Sequence, residues 1–407
     1  MKRVELLAPA GDLDRLKIAI RYGANAVYIG GKRFSLRSRA SNFDLKDIAE
    51  GVEFAHHHDA HVHVTVNMLP HEEDLEGISE YLKDLESIGV DAIIVASLSI
   101  MQLAKKVAPK LEVHVSTQHS STNSSVVKLY ESLGMDRVVL ARECTLDDVK
   151  RTTANSNLPI EAFIHGGMCV SYSGRCTLSN NMTNRDANRG GCAQSCRWKY
   201  RLYEGDIKLN EDDHMFSMSS KDLCAMKYIP ALIDAGVSSF KIEGRMKSQY
   251  YLATIVRTYR MLIDEYYETG SISQKRMQWY YEELSKAENR LSAGGFYGGV
   301  PGMKDHLYGI NGAGVSQEFI AYVLDYDEEK QIAKLEVRNN FSSGIDAEAF
   351  GATTPNQMFV MDILYDEDGE VVDVARNPMD ILYTKINVKL KKHDMIRKVI
   401  KKRENVY

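Results

Sequence analysis

The sequence predicts a TIM-like (β/α)8 barrel that carries a cysteine-containing insertion after strand seven and is followed by a small all-β barrel domain. Three observations support this prediction. Roughly the first 300 residues alternate eight short apolar runs with amphipathic helical patterns. About seventy residues separate the seventh run from the eighth. After residue 318 the pattern changes to strand-like alternation with acidic turns. An open doubly wound sheet is the main alternative, and the count of eight favours closure.

The eight apolar runs are short, and several are rich in Val and Ile, as is typical of buried parallel strands. The predicted strands cover 4–8, 26–30, 62–67, 92–96, 112–117, 137–141, 160–165 and 239–243. The predicted helices between them cover 12–22, 45–57, 74–88, 100–107, 125–133 and 146–153. Gly23, Gly89 and Gly134 lie just past three of these helices, where glycine is favoured. Strands and helices therefore alternate as a barrel requires.

The domain organisation follows from the same patterns. We assign residues 1–303 to the barrel, with the insertion at about 166–238, and residues 316–403 to the β domain. Two further helices are predicted over 249–268 and 274–291, and the glycine-rich segment 294–302 is interpreted as a linker. For the β domain we expect five or six strands, with a hairpin turn at Asp368 and Gly369. Long loops after barrel strands commonly carry the chemistry of the enzyme, so the insertion is expected to be functional.

Composition and charge exclude several classes of protein. With 407 residues, 44% hydrophobic and 26% charged, the chain is neither disordered nor fibrous. No apolar run reaches the roughly 18 residues of a membrane span, and the N-terminus lacks a signal-peptide pattern. We therefore expect a cytoplasmic protein with no membrane partner. Since the net charge is −5, any nucleic-acid contact must come from local basic patches, such as the tail after residue 389.

Five of the six cysteines fall within 56 residues of one another: Cys169, Cys176, Cys192, Cys196 and Cys224. In a cytoplasmic chain such a group indicates metal binding rather than disulfides. Only the Cys192–Cys196 spacing suits structural zinc, and the H-E-x-x-H motif of zinc proteases is absent. Irregular spacing over a long loop suits an iron–sulfur cluster better. Zinc and buried free thiols are the alternatives.

The segment EAFIHGGMCVSYSGRCTLSN closely resembles the signature of the collagenase-like peptidase family U32. Further segments resemble the same family: GGKRFSLRSRASNF, STQHSSTN, LARE, NRGGCAQSCRWKY, SKDLCAM and FKIEGRMKS. The resemblance runs from residue 4 to at least residue 303, and the β tail is similar to the C-terminal domain of that family. Within the family, the two-domain form most resembles the tRNA hydroxylation protein P subgroup.

This resemblance implies a tRNA-modifying enzyme: prephenate-dependent formation of 5-hydroxyuridine at the tRNA wobble position, with a [4Fe–4S] cluster. Sister subgroups imply hydroxylation of ribosomal RNA or a quinone, and the older family name implies a metal-dependent peptidase. The resemblance makes Cys169, Cys176 and Cys192 cluster ligands, with Cys224 expected as the fourth and Cys196 as the alternative. Partners would be tRNA, prephenate as a small dianionic co-substrate, and a related family subunit.

Charged residues lie at the predicted carboxyl ends of strands six to eight, where barrel enzymes place catalytic groups. The candidates are Arg142, Glu143, His165, Glu243 and Arg245. His165 is expected to transfer protons or, alternatively, to cap the core. Arg142 and Arg245 can each pair with a carboxylate in a bidentate manner, which suits a dianion such as prephenate. The alternative is that arginine and glutamate pair with each other.

Candidate substrate- or RNA-binding residues follow strands two, three and five or lie beside the cysteines. They are Lys32, Arg33, Phe34, Arg37, Arg39, Asn67, Gln118 and Arg197. The basic residues after strand two suit a phosphate or a carboxylate, and Phe34 would stack on a base. An ordinary solvated loop is the alternative.

Overall fold

The fold was determined as a computed structural model, which describes residues 3–36, 42–211, 215–287, 290–307 and 317–400. The chain forms a closed parallel barrel of eight strands and, after it, an antiparallel sheet. The predicted parallel barrel and the all-β character of the domain after it are thereby confirmed. Within the described ranges, no helix has the length and apolar character needed to cross a membrane.

The barrel strands are nearly continuous in their burial, because one face contacts the barrel interior and the other the surrounding helices. They are β1 (Glu5–Pro9), β2 (Ala26–Gly30), β3 (His61–Val66), β4 (Ala92–Val95), β5 (Glu112–Val115), β6 (Arg137–Val139), β7 (Ile160–Gly166) and β8 (Ser239–Ile242). Ser239 pairs with Glu5 of β1 and with Glu161 of β7, which closes the ring. All eight predicted strands are present, with ends displaced by two residues at most.

Ten α-helices are present in the described residues. They are α1 (Leu13–Arg21), α2 (Leu45–His56), α3 (Ile78–Ile88), α4 (Leu98–Val107), α5 (Ser124–Ser132), α6 (Leu146–Ala154), α7 (Leu178–Thr183), α8 (Ile229–Asp234), α9 (Gln249–Thr269) and α10 (Gln274–Ser285). Asp12, Asp44 and Thr145 cap α1, α2 and α6 by accepting a backbone N–H three residues later. The helix predicted over 74–88 starts only at Ile78, because Gly77 adopts a left-handed conformation with φ of 77°.

The barrel interior contains a buried ion network instead of apolar layers alone. The Arg137 guanidinium lies 2.6 Å from Glu5 Oε1 and 3.1 Å from Glu161 Oε2. Lys241 Nζ donates to the other oxygen of Glu161 at 2.7 Å. Burial alone would raise the pKa of Glu161, but Lys241 and Arg137 hold it at about 2. The network therefore fixes the charge and the position of Lys241 in the barrel.

The insertion after β7 lies across the carboxyl ends of the strands. Its strand Asp222–Cys224 runs antiparallel to the end of β7, and Tyr203–Glu204 pairs with Ile207–Lys208 as a small hairpin. Arg189 ties the insertion to the loop after β3 by an ion pair of 2.7 Å with Asp74. The insertion is therefore attached to the barrel mouth at more than one point.

The segment 294–302, expected to be a linker, belongs instead to the barrel. Just before it, Ser292–Ala293 pairs with the Asp222–Cys224 strand. The Tyr297 hydroxyl donates to the Phe163 carbonyl at 2.6 Å, and its ring lies 5.7 Å from that of Tyr228. Gly294, Gly295 and Gly298 permit this packing, since a Cβ at each would lie less than 3.0 Å from Tyr228 or Leu223.

The C-terminal domain is an eight-stranded antiparallel sheet around its own apolar core. In sheet order its strands are Gln357–Val360, Asp346–Phe350, Met395–Val399, Gln317–Asp327, Ile332–Val337, Ile381–Lys385, Leu364–Tyr365 and Val371–Val372. Phe341–Ser342 and Val374–Ala375 form a separate two-stranded pair beside this sheet. Five or six strands were expected, but the described residues of the domain hold ten, and four of these are only two residues long. Within residues 317–400, the first and last strands of this order are not paired with each other, so the domain is an open sheet here and not the small barrel that the sequence predicted.

The two domains share a buried polar interface. The Arg397 side chain is fully buried, with Nε 2.7 Å from Glu348 Oε2 and Nη2 2.9 Å from Glu283 Oε2 on α10. Lys286 pairs with both carboxylates. Beside this network the rings of Tyr250 and Phe319 stack with 5.4 Å between centroids. The β domain is therefore held against the barrel by charge and packing together.

Candidate active site

A cavity opens at the carboxyl ends of the barrel strands and encloses about 550 Å³ of empty space, part of it open to solvent. We call it the mouth cavity. Its lining includes Asn67, Gln118, Arg142, Glu243 and Arg245. The structure therefore brings together five side chains that the sequence singled out separately, although their roles stay predictions.

Two cations of the mouth cavity lie against aromatic rings. The guanidinium of Arg142 is centred 4.0 Å from the ring of Phe163 and donates to the Gly167 carbonyl at 2.8 Å. Lys241 Nζ lies 4.5 Å from the ring centroid of Tyr28. Burial lowers the pKa of Lys241, and Glu161 opposes this effect. The cavity thus has a positively charged, aromatic-backed wall suited to a carboxylate.

Sequence reasoning missed Lys241, Tyr28 and Phe163. The available signal was Lys241 itself, a charged residue in the middle of the predicted strand over 239–243. A lysine at such a position is rarely buried without a partner, so it points to a charged barrel interior.

The Arg245 side chain is buried and donates hydrogen bonds to neutral acceptors, whereas the alternative raised from the sequence was an ion pair with Glu243. Its Nη1 donates to Ser35 Oγ and to the Leu36 carbonyl, both at 3.0 Å, and its Nη2 donates to Asn42 Oδ1. Gly30 permits this position, since a Cβ there would lie 2.0 Å from the guanidinium. Arg245 therefore holds the residues that follow β2 and lines the mouth cavity at the same time.

The two predicted glutamates act on backbone groups of the insertion. Glu243 Oε2 accepts the Gly167 N–H at 3.2 Å. Glu143 accepts both the backbone N–H and the hydroxyl of Ser173, at 3.1 and 2.9 Å. Glu143 therefore anchors the insertion, and Glu243 both lines the cavity and fixes the end of β7.

The structure places His165 behind the barrel wall rather than in the mouth cavity. The pairing of β7 with β8 shifts by one residue between Lys241 and Ile242, so that His165 pairs with Ile242. Its ring therefore packs toward α9, with Nδ1 3.3 Å from the Tyr259 hydroxyl. Burial lowers the pKa of His165 to about 3. This geometry agrees with the core-capping alternative.

Four thiols gather in the insertion. Burial raises the pKa of Cys196, and the neighbouring thiols of Cys169, Cys192 and Cys176 raise it further. Two of these cysteines have their carbonyls fixed: Asn188 donates to that of Cys176 at 2.9 Å and Arg185 to that of Cys192 at 3.5 Å. Cys196, the alternative fourth ligand, is therefore close enough to the thiols of Cys169, Cys176 and Cys192 for them to influence its pKa.

The expected fourth ligand, Cys224, lies in a different environment. It is buried on the strand that pairs with β7, opposite His165, and its Sγ lies 3.8 Å from the Tyr259 hydroxyl. Cys224 thus lies in the barrel wall, whereas Cys196 lies beside the other three thiols; the choice of fourth ligand stays a prediction. Cys144 is buried elsewhere, and burial raises the pKa of its thiol to about 12, as suits a structural residue.

The donor set fits an iron–sulfur cluster in its chemistry, since four thiolates are the usual ligands. Over the ranges of the chain that the structure describes, no three His, Cys, Asp or Glu side chains converge closely enough to hold a metal ion. The four thiols are therefore neighbours that do not form a closed ligand set among the described residues.

The predicted RNA-binding residues after β2 are only partly available. Phe34 is 5% exposed and packs on Tyr81 with 5.3 Å between ring centroids, so it cannot stack on a base as expected. Lys32 and Arg33 are exposed; Lys32 pairs with Asp44 at 3.2 Å, and Arg33 donates to the Glu76 carbonyl at 2.5 Å.

Two of the predicted basic residues, Arg37 and Arg39, lie outside the described residues. Arg197 donates to the Met168 carbonyl at 3.4 Å and lies 3.9 Å from Asp222. Arg197 is thus placed beside the cysteines, with part of its guanidinium already in contact with the protein.

Comparison with known proteins agrees with this architecture. The family model "Peptidase family U32" matches residues 11–307, and "Peptidase family U32 C-terminal domain" matches residues 315–397. The tRNA hydroxylation protein P1 of Bacillus subtilis is 45% identical over 402 residues, covering 98% of this chain and 95% of that protein. The tRNA hydroxylation protein P of Escherichia coli is 33% identical, covering 65% and 69%. The 23S rRNA 5-hydroxycytidine C2501 synthase of Escherichia coli is 43% identical, covering 64% of this chain and 39% of that protein.

Proposed function

Because the chain belongs to peptidase family U32, we propose that it is an RNA-hydroxylating enzyme that converts the wobble uridine of tRNA to 5-hydroxyuridine. The single observation that carries this proposal is the 45% identity, over nearly the whole of both chains, to a protein named for tRNA hydroxylation. The cytidine-hydroxylating relative supports the wider reaction class, hydroxylation of a pyrimidine in RNA.

Prephenate is the proposed hydroxyl donor and binds in the mouth cavity. It carries two carboxylates, and the cavity offers Arg142 and Lys241 on one wall and Arg245 close by. Arg142 presents a guanidinium fork backed by Phe163, whereas Lys241 is held in place by Glu161. These groups orient the dianion, while Asn67 and Gln118 supply neutral hydrogen-bonding groups at the same cavity.

An iron–sulfur cluster is the proposed cofactor, held by Cys169, Cys176, Cys192 and Cys196. When bound through four thiolates, such a cluster would supply electron transfer. The remaining groups of the insertion position it: Arg197 and Glu243 fix the backbone between the end of β7 and Cys169. The mouth cavity thereby lies next to the thiols without sharing side chains with them.

The direct test is to express the chain in a strain that lacks both 5-hydroxyuridine in tRNA and 5-hydroxycytidine in ribosomal RNA, and to measure the nucleosides of both RNAs by mass spectrometry. We expect 5-hydroxyuridine to return, and only when prephenate is supplied. Protein purified without oxygen should show a broad visible absorbance band and contain iron and sulfide. Restoration of 5-hydroxycytidine in ribosomal RNA instead would reassign the substrate, and absence of both products would reject the proposal.

A further inference from the structure

Residues 197–203, which we call the insertion strip, follow Cys196 directly in the chain. Cations and aromatic rings alternate at the start of the strip, in the order Arg197, Trp198, Lys199, Tyr200 and Arg201. The strip carries three cations and no acid, although the whole chain has a net charge of −5. It is therefore a local basic patch of the kind that nucleic-acid contact requires in this chain.

The insertion strip starts beside the mouth cavity. Its first residue, Arg197, donates to the Met168 carbonyl at 3.4 Å and so lies against the backbone that leaves β7. A Cβ at Gly167 would lie 3.2 Å from Arg197 Nη2 and 3.2 Å from Glu243 Oε2. Glu243 is one of the side chains that line the mouth cavity. A molecule bound along the strip would therefore begin next to the cavity in which the proposed donor binds.

Two aromatic rings of the strip are open to solvent. Trp198 is 44% exposed and Tyr203 is 55% exposed, whereas tryptophan is highly buried on average. Tyr200 lies beside Trp198, with 6.5 Å between the ring centroids and 34° between the ring planes. Lys199 and Arg201 are exposed as well. Exposed rings interleaved with exposed cations suit single-stranded nucleic acid, because bases stack on the rings while phosphates pair with the cations.

The backbone of the strip is held in place by the rest of the insertion. Tyr200 exchanges two backbone hydrogen bonds with Phe216, at 2.7 and 2.9 Å, and its hydroxyl donates to the Ser195 carbonyl at 2.6 Å. The small hairpin described above continues the strip, and its acids Glu204 and Asp206 end the cationic segment. A preformed strip loses little conformational entropy when a ligand binds, which favours affinity.

These features favour single-stranded RNA over a duplex or a protein partner. In a duplex the face of each base is covered by its neighbours, so Trp198 and Tyr203 would have no base face to stack on. Charged residues are depleted at the centre of protein interfaces, lysine among them, whereas the strip places three cations within seven residues. The combination of charge and exposed rings therefore fits an unpaired strand.

Resting on the proposed function, we propose that the insertion strip binds the single-stranded nucleotides that flank the base to be hydroxylated. Trp198 and Tyr203 stack on bases, and Lys199 and Arg201 contact phosphates. The two rings are five residues apart, a span of up to about 17 Å in an extended chain, so they stack on different nucleotides. The bound strand thereby reaches the edge of the mouth cavity at Arg197.

The test uses the full-length protein, purified without oxygen, and two fluorescently labelled RNAs: an anticodon stem-loop and a blunt duplex with the same number of nucleotides. Fluorescence anisotropy gives the dissociation constant at several salt concentrations. We expect the stem-loop to bind about tenfold more tightly than the duplex, because only the loop offers uncovered base faces. Trp198→Ala should weaken stem-loop binding about tenfold, the effect of one lost stacking contact, and Trp198→Phe should keep most of the affinity.

The double variant Lys199→Ala/Arg201→Ala tests the phosphate contacts, and both side chains are exposed, so the fold and the iron content should not change. It should reduce the slope of log affinity against log salt concentration by about 1.4, since each phosphate contact on a single strand contributes about 0.7. Lys106→Ala/Lys110→Ala is the matched control. It removes two exposed lysines at the end of α4 remote from the mouth and should leave the slope unchanged.

A stem-loop with 4-thiouridine in its loop locates the contact directly, because irradiation links it to adjacent residues that mass spectrometry identifies. Crosslinks to residues 197–203 support the proposal. Crosslinks elsewhere, or normal stem-loop binding by both strip variants, overturn it and leave the proposed function standing. If those variants bind RNA normally but change the oligomeric state, the strip is a contact between protein chains. If the unaltered protein neither binds nor modifies RNA, the proposed function and the strip assignment both fall.

Discussion

Arg397→Met tests the polar interface between the barrel and the β domain. Methionine keeps most of the side-chain volume but removes the cation from a fully buried position between Glu283 and Glu348. Burial raises the pKa of Glu283, but Arg397 and Lys286 bring it down from 4.5 to about 2. Lys286 remains in the variant, although it is left with two carboxylates to neutralise.

The expected loss of stability can be obtained in two ways. A tenfold change in proton affinity is worth about 1.4 kcal/mol, so the lowered pKa of Glu283 corresponds to about 3 kcal/mol near pH 7. Removing one partner of a buried ion pair usually costs about 3–5 kcal/mol. Because Lys286 also stabilises the charged form of Glu283, we expect a value at the lower end of this range, a fall of about 3 kcal/mol in the free energy of unfolding.

The pH dependence has a definite sign. A carboxyl group whose pKa is lower in the folded protein than in the unfolded chain stabilises the fold above the unfolded value. For Glu283 this contribution is complete above pH 4.5 and is lost as the pH falls toward 2. The free energy of unfolding of the unaltered protein should therefore exceed that of Arg397→Met by the whole amount at pH 7, and this difference should become smaller below pH 4.5.

Urea unfolding followed by tryptophan fluorescence measures this difference. The chain has two tryptophans, and Trp279 lies on α10 one turn before Glu283, so its emission reports the interface. Arg376→Met, at an exposed arginine of the β domain, is the matched control and should change stability little. A loss below about 1 kcal/mol in Arg397→Met would mean that desolvation cancels the ion pairs, and the reasoning would be wrong.

Three further predictions concern the site. Anaerobically purified Cys196→Ala should contain no cluster iron, whereas Cys224→Ala and the control Cys144→Ala should retain it. If Cys224→Ala loses the iron and Cys196→Ala keeps it, the ligand set expected from the sequence is restored. Arg245→Lys should lower the melting temperature, because one ammonium group cannot reach all the partners of the guanidinium. It should raise the KM for prephenate only severalfold. An unchanged melting temperature with a hundredfold higher KM would make Arg245 the principal donor-binding residue. Lys241→Met should raise the KM for prephenate about tenfold or more while tRNA affinity stays constant, and normal donor kinetics would exclude Lys241 from donor binding.

The barrel could be predicted from the sequence because its strands are buried on both faces and therefore appear as short apolar runs. Chain position alone also indicated which charges meet at the mouth, since parallel strands end on the same side. Arg142, Glu243 and Arg245 share the cavity for this reason.

The orientation of individual side chains could not be obtained in this way. Simple alternation would place His165 on the same face as Glu161 and Phe163, but the register shift opposite Ile242 reverses it. The partners of Arg245 are about two hundred residues away in the chain, so no local pattern identifies them. Phe34 appears in a basic, polar segment and is nevertheless buried against Tyr81.

The placement of segment 294–302 has a practical consequence for exchanging C-terminal domains between members of the family. If the chimera were joined at these glycines, Phe296 and Tyr297 would come from the protein that supplies the C-terminal domain. The barrel of the other protein would then lose these residues and be open on one side. Leu307 is still part of the barrel side, because it is buried and its N–H donates to the Ser219 carbonyl at 2.7 Å. Chimeric proteins should therefore be spliced after Leu307, so that each recipient keeps its complete mouth and receives only the sheet.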